Sequence, residues 1–307
     1  MTPGLARILP LLAALAVLGG CGEDRPTAAE PTAAGEQAVT LGTRNLPDQL
    51  IVGHLYEQAL EARGWAAELK RNIGSPEIAR AALRSGQIDV YPESIATLDR
   101  ALTGAASAYP SAAAALAAAR GHAAALGLEL LDPTPFATVE ALAVRRALAA
   151  RHDLATIADL ARVPALRLGG APELLGRREG GLAALRRAYG LRARFAPLTA
   201  GLQYGALDEG LVDVALVRDT DGELREGDYV VLADPEHVFG FQQVVPVVRA
   251  GALEAHGPRL RATLEAVDAA LSTAAMRELN QAVEIDGEAP ADAARRFLAE
   301  HDLLADG

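Results

Sequence analysis

The sequence predicts an α/β protein with two similar lobes, each formed by a parallel-centred sheet with flanking helices. Short apolar runs that end at turn residues alternate with segments of helical periodicity. The order βαβαβ occurs twice, on either side of an Ala-rich helical region at 96–126. The strand count alone also fits one doubly wound sheet. The helical region and the second βαβαβ unit that follows it favour two lobes. We expect 38–140 plus 245–307 to form lobe one and 141–244 to form lobe two.

The elements of lobe one are predicted from their apolar runs and their end signals. Asn45 is expected to cap the first helix, and Ser75, followed by a proline, the second. Gly64 and Gly86 are expected to end these two helices. The predicted strands are 38–43, 66–71 and 87–91.

The elements of lobe two and the C-terminal region are predicted in the same way. Thr156 is expected to cap a short helix, and a longer helix is expected from Pro172 to Tyr189. A further helix is expected at 201–209, and two or three helices between 257 and 303. The predicted strands are 139–144, 166–169, 193–196, 212–216, 229–232 and 244–248.

Composition excludes several classes of protein. The 307-residue chain has a formal net charge of −11, whereas a nucleic-acid-binding surface needs a basic face. Its single cysteine, Cys21, allows neither an intramolecular disulfide nor a multi-cysteine zinc site, and the six histidines form no ligand-spaced pair. The sequence has no nucleophile elbow, Walker loop or dinucleotide fingerprint. We therefore expect a monomeric binding protein, not an enzyme, with no cofactor and no metal.

The N-terminal segment predicts export and lipid anchoring. Residues 1–20 have the form of a secretory signal, with Arg7 before an apolar run that is too short to span a bilayer comfortably. The segment ends Leu18-Gly19-Gly20-Cys21, which resembles a bacterial lipobox, in which the cysteine is lipidated. Residues 21–37 are rich in Ala, Pro, Thr and Glu and show no periodicity, as a tether would. We expect an extracytoplasmic protein that is anchored to the cell membrane through Cys21.

Candidate ligand-binding residues follow the carboxyl ends of the predicted strands, where open α/β sheets bind ligands. Gly74 and Ser75 precede a helix N-terminus that could hold a carboxylate, although a simple helix cap explains them as well. Aromatic rings could hold a cation, or could pack in a core. Asp219 could meet a cationic group or serve as a turn residue. The complete set is Asn45, Gln49, Gly74, Ser75, Tyr91, Ser94, Thr97, Phe136, Tyr204, Asp219, Thr220 and Phe241.

Six stretches, in the same order, resemble motifs of the glycine betaine/choline-type (quaternary-amine) substrate-binding proteins of ABC importers. The resemblance covers about residues 39 to 303. It implies a type II periplasmic-binding-protein-like clamshell that captures a small amine or zwitterionic solute (glycine betaine, choline or a related osmoprotectant) and delivers it to an ABC permease. The six stretches are LGTRNLPDQ at 41–49, RNIGSPEI at 71–78, GQIDVYPES at 86–94, YGAL…GLVDV at 204–214, DTDG at 219–222 and MRELN at 276–280.

One departure from the family pattern bears on the ligand. The family usually has Tyr where Ser94 stands, and the Gly-Thr pair that follows is here Ala96-Thr97. Family members that bind quaternary ammonium groups build the cage from aromatic residues. Another amino-acid-derived amine is therefore as plausible a ligand as betaine or choline. A ligand-sensing lipoprotein and, less favoured, an exported hydrolase on a similar scaffold are the alternative functions.

Overall fold

Two five-stranded sheets organise the part of the chain that the structure describes. The computed structural model describes residues 38–104, 109–177 and 179–304. The predicted signal segment, the tether and Cys21 lie outside these described residues. No helix within them is long and apolar enough to cross a membrane.

The strands of the first sheet come from both ends of the described chain. Their spatial order is β2-β1-β3-β10-β4, and that of the second sheet is β7-β6-β8-β5-β9. The strands are β1 (Val39–Gly42), β2 (Ala67–Lys70), β3 (Val90–Ser94), β4 (Leu128–Leu130), β5 (Glu140–Arg145), β6 (Arg167–Gly170), β7 (Arg194–Pro197), β8 (Val214–Arg218), β9 (Tyr229–Leu232) and β10 (Val244–Arg249).

Helices cover both faces of the sheets. They are α1 (Pro47–Glu61), α2 (Pro76–Ser85), α3 (Ile95–Thr103), α4 (Ala112–Ala124), α5 (Arg146–His152), α6 (Leu182–Tyr189), α7 (Gln203–Asp208), α8 (Glu223–Glu226), α9 (Ala250–His256), α10 (Pro258–Ala270), α11 (Thr273–Asn280) and α12 (Pro290–Glu300). Two 3₁₀ segments (Ile157–Arg162 and Pro172–Leu175) and a π-helical turn (Gln281–Ile285) complete the list.

Both sheets are mixed in the same way. β1 pairs in parallel with β2 and β3, and β6 pairs in parallel with β7 and β8. The strand that enters from the other lobe, β10 in the first sheet and β5 in the second, is antiparallel to both of its neighbours. The prediction of two α/β sheets with parallel strands at their centre is confirmed, and the antiparallel strands arise where the chain crosses between lobes.

Each sheet has an apolar core on both faces, as doubly covered sheets require. In β5, Leu142 packs in one buried cluster of lobe two, and Ala141 and Ala143 pack in the other. In β10, Val244 and Val247 likewise belong to different clusters of lobe one. The two-residue side-chain period of a strand explains this division, and it fixes which residues remain at the strand ends.

Three local predictions are corrected. The third strand begins at Val90, because Asp89 is held at the strand start, where its carboxylate accepts a hydrogen bond from Thr40 N (3.0 Å) and pairs with Arg249 (2.5 Å). Leu46, not Asn45, occupies the N-cap position of α1, without a side-chain hydrogen bond. The helix predicted from Pro172 is interrupted before α6 by a glycine-containing segment, in which a Cβ on Gly181 would lie 2.3 Å from a backbone oxygen.

The lobes are joined by two adjacent crossover segments. Thr138 N donates to Gln242 O (3.0 Å), and Ala137 forms an antiparallel bridge with Gln243. Ile95 N, at the end of β3, donates to the carbonyl of Gln243 (3.0 Å). The lobe boundaries at 140/141 and 244/245 stay a prediction, because sheet membership does not by itself define a folding unit.

Candidate ligand-binding cleft

The carboxyl ends of β3 in lobe one and of β8 in lobe two adjoin the crossover segments. Ser94, the last residue of β3, lies opposite Val244, the first residue of β10. In lobe two, Glu140, the first residue of β5, lies opposite Arg218, the last residue of β8. The side chains at these two sheet edges are therefore those best placed to contact a ligand between the lobes.

Glu93 is the centre of a buried polar network in lobe one. Its Oε1 accepts from Arg44 Nη2 (3.0 Å) and from the backbone N–H of Ser94 (2.9 Å), and its Oε2 accepts from the Tyr91 hydroxyl (2.9 Å). Burial raises the pKa of Glu93, although the Arg44 guanidinium opposes the shift. Burial and the neighbouring Glu93 also raise the pKa of Tyr91, so its hydroxyl stays protonated as a donor.

Both ends of the Gln49 amide are occupied by this network. Its Oε1 accepts from Arg44 N (2.8 Å), and its Nε2 lies 3.5 Å from Glu93 Oε1. Gln49 and Tyr91 are both buried. The structure therefore shows these two predicted ligand residues holding Arg44 and Glu93 in place, and direct contact with a ligand stays a prediction.

Several buried polar atoms near this edge have no hydrogen-bond partner among the described residues. They are Thr43 Oγ1, Arg44 Nε, Asp48 Oδ1 and, on the crossover, Gln243 Oε1. Burial raises the pKa of Asp48, and the opposite charges of Arg218 and Arg44 partly offset the shift. Asp48 belongs to lobe one and Arg218 to lobe two, so the two sheet edges interact electrostatically across the interlobe region.

The predicted carboxylate site at Gly74 and Ser75 is an exposed helix cap. Ser75 Oγ accepts from Ile78 N (3.4 Å) and donates to Glu77 Oε2 (2.6 Å). The cap is confirmed, and ligand binding there stays a prediction. Asn45 is exposed and lines a shallow groove on lobe one together with Lys70 and Arg71.

In lobe two, three charged side chains lie near the start of β5 and the end of β8. Glu140 Oε2 is 2.5 Å from Arg177 Nη1. Arg218, opposite Glu140, is exposed, and its side chain makes no hydrogen bond or ion pair within the described part of the chain. The candidate set drawn from the sequence includes none of these three residues, nor Arg44 and Glu93. From the sequence, Glu93 is ambiguous between a ligand and a turn role, and Arg177 is more typical of a solvated helix face. Arg44 and Glu93 stand inside the quoted motifs, whereas Glu140, Arg177 and Arg218 lie outside them.

The predicted lobe-two residues are engaged with other parts of the protein. Asp219 Oδ1 pairs with Arg277 Nη2 (2.5 Å), and the Thr220 carbonyl accepts from Asn280 Nδ2 (2.7 Å). The Tyr204 hydroxyl donates to Asp221 Oδ2 (2.8 Å). The first two contacts attach the loop after β8 to α11, which otherwise packs with lobe one. The DTDG and MRELN motifs thus meet in space as a third connection between the lobes.

The remaining predicted residues differ in burial. Phe136 is 0% exposed and packs in the core of lobe one. Phe241 is half-buried, and its ring centroid lies 4.6 Å from that of His237. Ser94 is buried at the end of β3, and Thr97 is half-buried in the first turn of α3. Of these four residues, Ser94 and Thr97 lie beside the crossover contact that joins Ile95 to Gln243.

Two α/β lobes joined by crossover segments, with polar sheet edges beside the crossovers, define a solute-binding protein of the clamshell class. Residues 37–300 match the family described as the substrate binding domain of ABC-type glycine betaine transport systems, and the chain belongs to this family. The glycine-betaine-binding protein of Pseudomonas aeruginosa is 31% identical, over 88% of this chain and 90% of that protein. The glycine betaine-binding protein YehZ of Escherichia coli is 25% identical, over 81% of this chain and 86% of that protein.

Solved structures agree with this assignment. A glycine betaine/carnitine/choline ABC transporter structure superposes with a TM-score of 0.81 at 26% identity, covering 87% of this chain and 99% of that one. Ligand-free YehZ shares the fold, with a TM-score of 0.75 at 23% identity over 87% of this chain and 99% of its own. The predicted family and clamshell fold are confirmed. As a family member, the protein binds a small molecule, acts with an ABC permease outside the cytoplasm and is not an enzyme.

Proposed function

We propose that the protein captures a small amine or zwitterionic solute, such as glycine betaine, choline or a related osmoprotectant, between its two lobes. One observation carries this proposal: the polar sheet edges of both lobes, at Ser94 and at Arg218, lie beside the crossover segments. The names of the relatives support the solute class, since they are binding proteins for glycine betaine and carnitine.

Lobe one supplies the more ordered half of the proposed site. The Glu93 network fixes Arg44, whose Nε has no hydrogen-bond partner among the described residues, and Ser94 and Thr97 adjoin it. A rigid set of donors lowers the ordering cost of binding, because the side chains are already placed. Lobe two closes on the solute from the β8 edge.

Closure is proposed to occur about the crossovers. The two crossover segments bond to each other and to the end of β3, so they can act as a short hinge. A solute that contacts both edges binds the closed state better and shifts the population towards it. The closed form then docks on the permease and releases the solute for import.

We also propose that Cys21 carries the lipid anchor and that the protein acts as a monomer. The only cysteine of the chain stands where a lipobox needs one, and 22–37 has the composition of a tether. Acyl chains contribute about 0.8 kcal/mol per buried CH₂, so a multiply acylated cysteine holds a soluble protein at the membrane.

A thermal-shift screen of the purified protein against betaine, choline, carnitine, ergothioneine and free amino acids tests the proposed function. A ligand that binds only the native state stabilises it by RT ln(1 + [L]/Kd), about 2.7 kcal/mol at a hundredfold excess over Kd. A saturable increase in Tm with one compound class supports the proposal. Unchanged Tm across the panel, for a protein that unfolds cooperatively, contradicts it.

A further inference from the structure

Three of the four candidate aromatic side chains are buried and make other contacts. Tyr91 is 1% exposed and Tyr204 6%, and their hydroxyls bond to Glu93 and Asp221. Phe136 is in the core. A cation–π contact needs an accessible ring face, and these three rings expose little surface. The fourth candidate ring, that of Phe241, is half-buried beside His237.

The lobe-two edge is charged instead. Directly opposed residues of an antiparallel pair project from the same face of a sheet, so the Glu140 and Arg218 side chains share one face. The Glu140 side chain is 32% exposed despite its ion pair with Arg177, and Arg218 is exposed. A carboxylate and a guanidinium that has no ion pair among the described residues therefore stand side by side beside the crossovers.

Lobe one offers complementary polar atoms. The buried Oδ1 of an ionised Asp48 accepts, and the buried Arg44 Nε donates, and neither has a partner in the described part of the chain. Burial raises the pKa of Asp48 and of Glu284, and the opposite charge of Arg218 lowers both. Leaving such atoms unpaired after closure costs about 1–3 kcal/mol each, so a ligand that bonds to them is favoured.

We infer that the cleft recognises its ligand by ion pairs and hydrogen bonds, and that the preferred ligand is a small zwitterion with an N–H-bearing cation. This inference rests on the proposed function and narrows its substrate class. Arg218 binds the ligand carboxylate, since a guanidinium matches carboxylate geometry. Glu140 accepts from the ligand's N–H groups, which a trimethylated nitrogen cannot supply.

Calorimetric titration with matched pairs of compounds tests this inference. The pairs are glycine betaine and glycine, proline betaine and proline, and histidine betaine and histidine. We expect the unmethylated member of at least one pair to bind at least tenfold more tightly than its methylated partner. We expect Glu140→Gln and Arg218→Gln each to weaken that binding tenfold or more.

Arg145→Gln is the matched control, because Arg145 is at the far end of β5 and pairs with Asp208 on the surface. It should leave the Kd unchanged. Tighter binding of a betaine, unaffected by Glu140→Gln and Arg218→Gln, overturns the inference while supporting the proposed function. Failure of the folded protein to bind any of the six compounds counts against the solute class of the proposed function itself, and so overturns both.

Discussion

Gly222 lies so close to Gln281 that a Cβ on it would be 2.6 Å from both the Cα and the backbone nitrogen of Gln281. Gly222 ends the DTDG motif of lobe two, and Gln281 begins the π-helical turn after α11. Its φ of −62° is ordinary for any residue, so only this contact requires glycine. The contact brings the loop after β8 against the C-terminal helices.

Gly222→Ala is therefore expected to lower the free energy of unfolding by about 1–3 kcal/mol, because overpacking forces the backbone apart. Gly205→Ala is the matched control. Gly205 lies in α7 of the same lobe, with nothing within 4 Å of an added Cβ. It should be neutral or stabilise by up to about 1 kcal/mol. Urea unfolding measures both, and equal effects would contradict the close-contact account.

The buried Glu93 network predicts a large cost for its loss. Glu93→Ala leaves Arg44 and the Tyr91 hydroxyl without their acceptor, and we expect destabilisation of about 3 kcal/mol. Asp208→Ala removes an exposed ion pair with Arg145 and should cost less than about 1 kcal/mol. Chemical denaturation compares the two variants, and a Glu93→Ala cost no larger than that of Asp208→Ala would argue against the network.

Asp268 predicts how stability depends on pH. Its Oδ1 accepts from the Tyr56 hydroxyl (2.6 Å) in the core between α1 and α10, and burial raises its pKa from 3.8 to about 8. Between these values the folded state binds more protons than the unfolded state. The contribution of Asp268 to stability is therefore fully present below about pH 4 and is lost as pH rises through about 8.

Asp268→Asn removes this titration. The slope of unfolding free energy against pH should become less negative by up to about 1.4 kcal/mol per pH unit between pH 5 and 8. Thermal or urea unfolding at several pH values measures the slope. An unchanged slope would mean that Asp268 is already ionised in the folded protein.

The proposed lipid anchor predicts that membrane attachment depends on the sulfur atom of Cys21. Cys21→Ser removes the only sulfur nucleophile of the chain and should move the protein from the membrane fraction to the soluble extracytoplasmic fraction. Fractionation and labelling with a radioactive fatty acid measure this. Retention in the membrane after the substitution would contradict anchoring through Cys21.

The sequence predicted the fold well because the fold depends on local signals. The helix beginning at Ser75 and the strands around Leu41 and Leu142 follow from caps and apolar runs, and they lie where expected. The candidate ligand-binding residues at the sheet edges were less predictable. Whether Tyr91 faces a ligand or a core depends on its hydrogen bond to Glu93, which periodicity does not show.

Charged residues at strand ends were the hardest to assign. Glu140 and Arg218 are 78 positions apart by their residue numbers, and only the antiparallel register of β5 and β8 makes them neighbours. Asp219 carried a turn signal and a ligand signal that the sequence could not separate. Its ion pair with Arg277 depends on how α11 packs against the other lobe.

We propose that one solute is held between two lobes that close on it. Small-angle X-ray scattering of the purified protein, alone and saturated with the panel compound that binds most tightly, tests this closure most directly. We expect a smaller radius of gyration with ligand, and a loss of that change in Arg218→Gln at the same ligand concentration. Saturation of the site with no change in the radius of gyration would contradict capture by closure.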